Sequence, residues 1–386
     1  MLHRSKHLLF LLIFTLVPTF FIWLPFFLQV ETFWTIPIPQ NGMATIVANY
    51  DGPLYLVVAK TFYNADLIRL SYSFPIPLEY YAAHFPLFPV LIKIFAGIVG
   101  YPYSMLAVTI ASAFLASYFF YKFIQDFVGE KNALWATLAF SIFPARWLIS
   151  RSVGSADPLF VASILASVYY FRNKKYWLAA LWGVIAQLTK SPAILLFVAY
   201  SGYVFAPHLK RFALIPFRKW VKGLDLKSKL PVLLIPVSLI IVFLLYQVTL
   251  GNFFAYFRSG DNIHLSFPPF QIFNYSAEWV GTFWLEEILF VYLIATLGLI
   301  KLIRKKEKLL AWFVGVFVIS IFFVSHRDLI RYSLPIVPFL YAAFSDLLIK
   351  KEFKIVLAVI AIPIYLFSIA FISQNVMPIA DWAPFL

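Results

Sequence analysis

Long apolar runs separated by short polar or charged stretches dominate this chain. A helix needs about 20 apolar residues to cross a bilayer, and the first such run begins at Leu8, behind a basic head. It lacks a small-residue cleavage site, so it predicts an uncleaved first transmembrane helix with a cytoplasmic N-terminus. Further spans are predicted at residues 102–124, 133–150, 156–171, 177–190, 192–206, 231–250, 286–303, 309–325, 332–349 and 354–372.

Two polar stretches are predicted to be loops on the outer side. Residues 29–85 form the first outer loop, with local helices at about 44–63, and residues 251–285 form the second. The apolar segment 86–100, PLFPVLIKIFAGIVG, is too short to span and predicts an interfacial or re-entrant helix. The pattern therefore predicts an all-α polytopic membrane protein with about 11 transmembrane helices and juxtamembrane helices in its first outer loop.

Composition agrees with this prediction. The chain is 62% hydrophobic and 12% charged, with a mean hydropathy of +0.86, which no soluble globular domain of 386 residues resembles. We expect residues 1–386 to form a single integral-membrane domain. The chain has no cysteine, which excludes disulfides, a thiol nucleophile and cysteine metal sites.

The formal charge of +14 does not indicate nucleic-acid binding, because the basic residues lie between apolar spans. Most of the 31 Lys and Arg residues fall in segments assigned to the inside, as the positive-inside rule requires. If 86–100 crossed the membrane, the clusters RNKK and KLIRKKEK would lie outside. We therefore expect a multi-pass protein of the cell membrane whose active site is extracytoplasmic.

Nine basic residues have no role in topology and are costly near a membrane without a partner. They are candidates for binding an anionic ligand: Lys60, Arg69, Lys93, Arg146, Arg151, Lys190, Arg258, Arg327 and Arg331.

Asp51 is the main catalytic candidate, in the stretch ANYDGPLYLVVAK. Asp followed closely by Pro is a common helix start, so Asp51 could simply cap a helix. It could also be a carboxylate held beside the membrane within reach of a sugar hydroxyl, and these two roles are compatible. His84, in HFPLFP, could bind a substrate phosphate or hydroxyl, or sit at the interface.

The outer turn RSVGSADP contains Arg151 and Asp157. Asp157 could cap the next helix and pair with Arg151, or the turn could line the same cavity as Asp51. Lys190 could bind an anionic headgroup or extend to the interface. Arg327 and Arg331 share a helical face that suits a phosphate, although Asp328 could pair with one of them.

Five motifs resemble the C-type integral-membrane glycosyltransferases, most closely the second GPI-anchor mannosyltransferase family and its prokaryotic relatives. They are YDGPLYLVVA, HFPLFPVLI, SADPLF, QLTKSPAILL and RYSLPIVPFLY. The resemblance implies that Asp51 is the base of the first outer loop and that Arg331 matches a family arginine. Asp157 stands where Glu is usual, and Lys190 where Arg is commoner.

What the resemblance implies is an inverting hexosyltransferase, mannosyltransferase-like, that uses a polyprenyl-phosphate sugar. The acceptor would be a glycan, a lipid or a protein. Basic residues at outer helix ends would stabilise the leaving phosphate, so we expect no metal and no cofactor. A multi-spanning transporter or lipid flippase is an alternative, but it would place ionisable residues near the bilayer midplane in paired halves. A glycan ligase would share the chemistry.

Overall fold

The computed structural model describes residues 2–208, 226–260, 265–274, 283–326 and 328–386. The described chain divides into two compact units. The first comprises Met1–Ala162, Phe243–Ser259 and Ser345–Leu386, and the second comprises Ser163–Val242 and Gly260–Phe344. The prediction of one domain over residues 1–386 stays a prediction.

The first unit contains the long N-terminal and C-terminal helices and the loop that carries Asp51. Its helices are α1 (Leu2–Phe27), α2 (Met43–Val47), α3 (Gly52–Thr61), α4 (Ala65–Ser71), α5 (Leu87–Val99), α6 (Tyr101–Val128), α7 (Glu130–Ile142), α8 (Ala145–Ser152) and the start of α9 (Asp157–Arg172). Short 3₁₀ helices lie at Leu78–Ala83, Ala255–Arg258 and Ala383–Phe385, and the strands Thr32–Phe33 and Ile36–Pro37 pair antiparallel.

The second unit contains the rest of α9 and a series of mostly shorter helices. They are α10 (Tyr176–Thr189), α11 (Ile194–Phe205), α12 (Leu226–Lys229), α13 (Leu234–Leu250, which continues into the first unit), α14 (Glu287–Arg304), α15 (Lys308–Phe322), α16 (Leu329–Tyr332) and α17 (Val337–Ala343). Its 3₁₀ helices lie at Ser191–Ala193, Ala206–His208, Leu230–Leu233, Gln271–Phe273, Phe283–Glu286 and Leu334–Ile336. The first unit ends with α18 (Ser345–Leu348) and α19 (Lys351–Gln374).

The centre of the first unit is α6, which packs against α1, α5 and α7. Small buried residues such as Ala113 and Ala116 let neighbouring helices approach closely. Phe140 on α7 stacks on Phe120 of α6, with ring centroids 4.3 Å apart, and on Trp147 of α8 at 5.0 Å.

In the second unit, two glycines permit close helix packing. A Cβ on Gly202 of α11 would lie 2.5 Å from the Trp312 ring of α15, and a Cβ on Gly298 of α14 would lie 2.3 Å from Leu340. Arg172 and Glu307 form an ion pair at 3.2 Å.

Four helices of the described chain are long and apolar enough to cross a membrane: Lys6–Phe27, Tyr101–Val128, Lys227–Leu250 and Lys351–Gln374. They expose many large apolar side chains, as a lipid-facing surface does. The bent pair α7–α8 would be a fifth span. The all-α polytopic membrane fold is therefore as predicted, but a count of about 11 spans is not confirmed.

Two predicted spans are interrupted. The span predicted at 133–150 is wrong as a single helix, because α7 and α8 meet at an angle of 74°. Pro144 lacks a backbone donor and forces Phe143 into an extended conformation. The span predicted at 332–349 is broken into short helices by a 3₁₀ turn that contains Pro335 and by a break at Phe344.

Residues 29–85, the predicted first outer loop, contain the expected helices: α2 (Met43–Val47) and α3 (Gly52–Thr61) lie close to the predicted range of about 44–63. The helix α5 has 13 residues, too few to cross the hydrocarbon core. Asp51 stands at the N-terminus of α3, and α3 is buried along nearly its whole length.

Candidate functional site

Asp51 occupies the N-cap position of α3, but its side chain makes no capping hydrogen bond. The helix starts instead through Pro53 in its first turn, whose missing N–H needs no partner there. The preceding residue, Tyr50, has a φ of 49°, a left-handed conformation that costs a non-glycine residue about 1–2 kcal/mol. A strained residue next to a half-buried carboxylate is typical of functional loops.

The segments around Asp51 and Asp157 meet at one methionine. A Cβ on Gly52 would lie 3.3 Å from Met105 Cε, and a Cβ on Gly154 would lie 2.2 Å from the same atom. Both glycines therefore face the Met105 methyl group at the start of α6. The motifs YDGP and VGSADP, 100 residues apart in the chain, thus lie side by side.

Asp157 is the first residue of α9 and is only 4% exposed. Ser155 Oγ donates to Asp157 Oδ2 at 3.1 Å and accepts the Asp157 N–H at 3.2 Å. Thr109 Oγ1 on α6 donates to the Ser155 carbonyl at 3.2 Å. The turn is therefore tied to α6, next to Met105.

Arg151 is fully buried and is directed away from this turn. Its guanidinium donates to the carbonyl oxygens of Ser141 at 2.8 Å and Phe14 at 3.1 Å, and also to that of Thr15. These bonds hold α8 against α1 and α7. The guanidinium donates to backbone carbonyls and not to Asp157, and substrate binding by Arg151 stays a prediction from the sequence.

Arg146, also on α8, lies against a ring that packs on Tyr50, the residue before Asp51. Its guanidinium carbon sits 3.9 Å from the centre of the Phe371 ring on α19, and the Phe371 ring centroid is 5.6 Å from that of Tyr50. Arg146 is 6% exposed. From the sequence, Arg146 is only one of nine basic residues without a role in topology. The sequence signal for its position is Pro144, which precedes it at a helix start.

His84 packs against α3, one turn beyond Asp51. Its ring meets Tyr55 edge-on with centroids 4.8 Å apart, and the Tyr55 N–H donates to the Asp51 carbonyl at 3.0 Å. The Tyr63 hydroxyl donates to the His84 carbonyl at 2.5 Å. Burial raises the pKa of Tyr63, so this phenol stays protonated and remains a donor at neutral pH.

The other predicted site residues belong to the second unit. Lys190 follows α10 in an extended conformation. Arg331 lies in α16. Just before that helix, the Asp328 N–H donates to His326 Nδ1 at 2.9 Å. Arg327 lies outside the described residues, so the predicted pair of guanidinium groups is untested. Among the residues that the structure describes, no group of three acidic or histidine side chains could hold a metal.

No family model matches the chain, and no curated protein matches it in sequence. Two solved structures of ArnT from Cupriavidus metallidurans are similar. The one bound to undecaprenyl phosphate aligns with a TM-score of 0.55 at 12% identity, over 94% of this chain and 76% of ArnT. The apo state aligns with a TM-score of 0.50 at 15% identity, over 86% and 74%.

ArnT is a C-type membrane glycosyltransferase. At these identities the likeness shows the fold alone. This chain has the polytopic membrane fold of ArnT, which is the fold that the sequence motifs implied.

Proposed function

We propose that this protein is an inverting membrane glycosyltransferase that moves one sugar from a polyprenyl-phosphate carrier to an acceptor hydroxyl. The observation that carries the proposal is Asp51. Its carboxylate stands at the start of a buried helix, is not used as a cap, and lies beside the segment of Asp157. The fold adds support, since a structure with the same fold was solved with undecaprenyl phosphate bound.

In the proposed reaction, Asp51 accepts the proton of the acceptor hydroxyl. The hydroxyl oxygen bonds to the anomeric carbon from the face opposite the phosphate, and the bond from that carbon to the phosphate oxygen breaks. The carrier phosphate leaves with the bonding electron pair, and the configuration inverts. A positioned carboxylate contributes about 10²–10⁴-fold as a general base.

The leaving phosphate needs a fixed positive charge nearby. In the first unit we assign this role to Arg146, because its guanidinium is held on Phe371 next to Tyr50. Arg151 donates to three carbonyl oxygens, and its binding of substrate stays a prediction from the sequence. Substrate binding by His84, Asp157, Lys190, Arg327 and Arg331 stays a prediction from the sequence.

The finer specificity is proposed from the sequence motifs. They favour a hexose, mannose in particular, and an acceptor that is a glycan, a lipid or a protein. The reaction would take place on the extracytoplasmic face of the cell membrane, with the N-terminus in the cytoplasm.

Replacement of Asp51 by Asn tests the proposal. Purified protein in proteoliposomes would receive undecaprenyl-phosphate mannose and a membrane lipid extract as acceptor, and the release of undecaprenyl phosphate would be measured. We expect Asp51→Asn to lower the rate at least 100-fold with an unchanged thermal midpoint. The matched control is Asp66→Asn, a carboxylate of the same loop whose side chain is 96% exposed; it should remain active.

Full activity in Asp51→Asn would overturn the assignment of the base. If the lipid-linked mannose crosses the bilayer without any release of undecaprenyl phosphate, the protein is a flippase instead. A ligase would act on a carrier loaded with an oligosaccharide and leave the monosaccharide donor intact.

A further inference from the structure

The end of α19 and the residues after it return to the Asp51 loop. Asn49 Nδ2 donates to the Ile372 carbonyl at 2.8 Å, and Asn375 Nδ2 donates to Asn49 Oδ1 at 3.2 Å. The Met377 N–H donates to the Ala48 carbonyl at 2.8 Å. We call residues 371–377 the C-terminal strap.

The strap forms hydrogen bonds with Ala48 and Asn49, the two residues before Tyr50 and Asp51. Asn49 has no exposed surface and forms an antiparallel bridge with Val376, so its backbone and its amide are both held. A buried amide whose donor and acceptor are both satisfied is costly to disturb, because the partner left behind would be buried without a hydrogen bond. Asn49 is therefore a fixed point two residues before Asp51.

Phe371, the first residue of the strap, contacts Tyr50, the residue after Asn49. Its ring packs on Tyr50 and carries the Arg146 guanidinium at 3.9 Å. One strap side chain thus contacts both the neighbour of Asp51 and the cation assigned to the leaving phosphate. The relative position of acid and cation depends on this ring.

The far end of α3 is also tied to the C-terminal residues. Lys60 Nζ donates to the Leu386 oxygen at 2.8 Å, and the Tyr72 hydroxyl donates to the Pro384 carbonyl at 3.0 Å. The segment from Phe371 onward therefore contacts the chain before α3 and the helix at its last turn. Both ends of the Asp51 helix are fixed by residues more than 300 positions later.

We propose that the C-terminal strap positions the Asp51 carboxylate for proton transfer, with Asn49 and Asn375 as positioning residues. The strap holds the backbone that leads into Asp51, and that backbone fixes the position from which the Asp51 side chain extends. A displacement of about 1 Å at a reacting group costs on the order of 100-fold in rate. This inference rests on the proposed role of Asp51 as the base.

The first test needs no substrate. The chain has no cysteine, so Asp51→Cys offers a unique site for a nitroxide label, whose electron paramagnetic resonance spectrum reports local motion. We expect a restricted spectrum that becomes clearly more mobile when Asn375→Ala or Asn49→Ala is added. The control is Tyr365→Phe, which removes a hydrogen bond from the same helix α19 to the Phe21 carbonyl and should leave the spectrum unchanged.

The second test measures kinetics with undecaprenyl-phosphate mannose and the otherwise natural chain. We expect Asn375→Ala and the isosteric Asn375→Asp, which cannot donate to Asn49, to lower kcat about 10- to 100-fold. The KM for the donor should change less than threefold. Asn375→Gln, which keeps a donor, should recover part of kcat, and Tyr365→Phe should behave like the natural chain.

The outcomes separate the two proposals. If the label at position 51 is equally restricted with and without Asn375, the strap does not position this loop. If label mobility rises but kcat is unchanged while Asp51→Asn is inactive, the strap holds the loop without serving catalysis, and the inference fails alone. If Asp51→Asn is fully active, the proposed function fails, whatever the label reports.

Discussion

The two arginines of α8 lie five positions apart, and this separation gives their charges different neighbours. Successive helical residues turn by about 100°, so Arg146 and Arg151 point to different neighbours. Arg151 donates to carbonyl oxygens of α1 and α7, and its removal would leave those buried oxygens without this donor. Arg146 lies against Phe371, next to the loop of Asp51.

Replacing Arg146 should weaken the binding of the lipid carrier. A charge-assisted hydrogen bond contributes about 1.5–3 kcal/mol, so Arg146→Gln should raise the Kd for undecaprenyl phosphate about 10- to 100-fold. Arg146→Lys keeps the charge but loses the planar stacking on Phe371, so its Kd should lie between that of the natural chain and that of Arg146→Gln. Binding would be measured by quenching of intrinsic tryptophan fluorescence in detergent.

The matched control is Arg172→Gln, which removes a guanidinium from an ion pair with Glu307 in the second unit. We expect this variant to bind the carrier like the natural chain. Unchanged affinity in Arg146→Gln would refute the assignment of the cation.

At the level of elements, the start of α6 is the point where two loops of the first unit meet. Met105 fits between Gly52 and Gly154 because neither glycine has a Cβ. The two glycines differ in what a Cβ would meet. At Gly154 the nearest atoms all belong to the flexible Met105 side chain, whereas at Gly52 the nearest atom is the Val47 backbone oxygen, at 2.1 Å.

This difference predicts a selective rescue. Gly154→Ala should lower stability by about 1–3 kcal/mol through overpacking, and adding Met105→Ala should restore much of the loss by making room. Gly52→Ala should be damaging with either residue at position 105, because a backbone oxygen cannot move aside. Thermal midpoints of the four variants in detergent would decide, and rescue of Gly52→Ala by Met105→Ala would contradict the packing described.

Local sequence signals predicted some elements well and others poorly. A proline stands two residues after Asp51 and directly after Asp157, and both aspartates lie at helix starts as expected. Pro144 is equally visible in the sequence, yet the apolar run around it predicts one span, because hydropathy averages over a break. The prolines in LPIVP likewise interrupt a run that is apolar throughout.

At the scale of the molecule, the contacts between residues far apart in the chain could not be predicted from the sequence. The fold class followed from apolar content, since backbone groups in lipid must be paired within helices. Nothing local indicates that Asn375 meets Asn49, because single asparagines in polar segments are usually surface residues. The same limit applies to Arg146 and Arg151: both are basic and near one turn, and only packing distinguishes their surroundings.

The side of the membrane that holds Asp51 depends on whether α5 crosses. With 13 residues α5 is too short, whereas α6 has 28 residues and a length of about 42 Å at 1.5 Å per residue. We therefore expect one crossing between residues 29–85 and α7. Because the chain has no cysteine, single replacements of exposed residues can test this: Asp66→Cys should react with a membrane-impermeant maleimide in intact cells, and Lys131→Cys only after permeabilisation.

The natural chain, which has no thiol, is the negative control. Labelling in a denaturant that exposes both introduced thiols is the control for their reactivity. Labelling of both sites in intact cells would mean that α5 and α6 together return the chain to the same face. Labelling of Lys131→Cys alone would place Asp51 in the cytoplasm and exclude an extracytoplasmic acceptor.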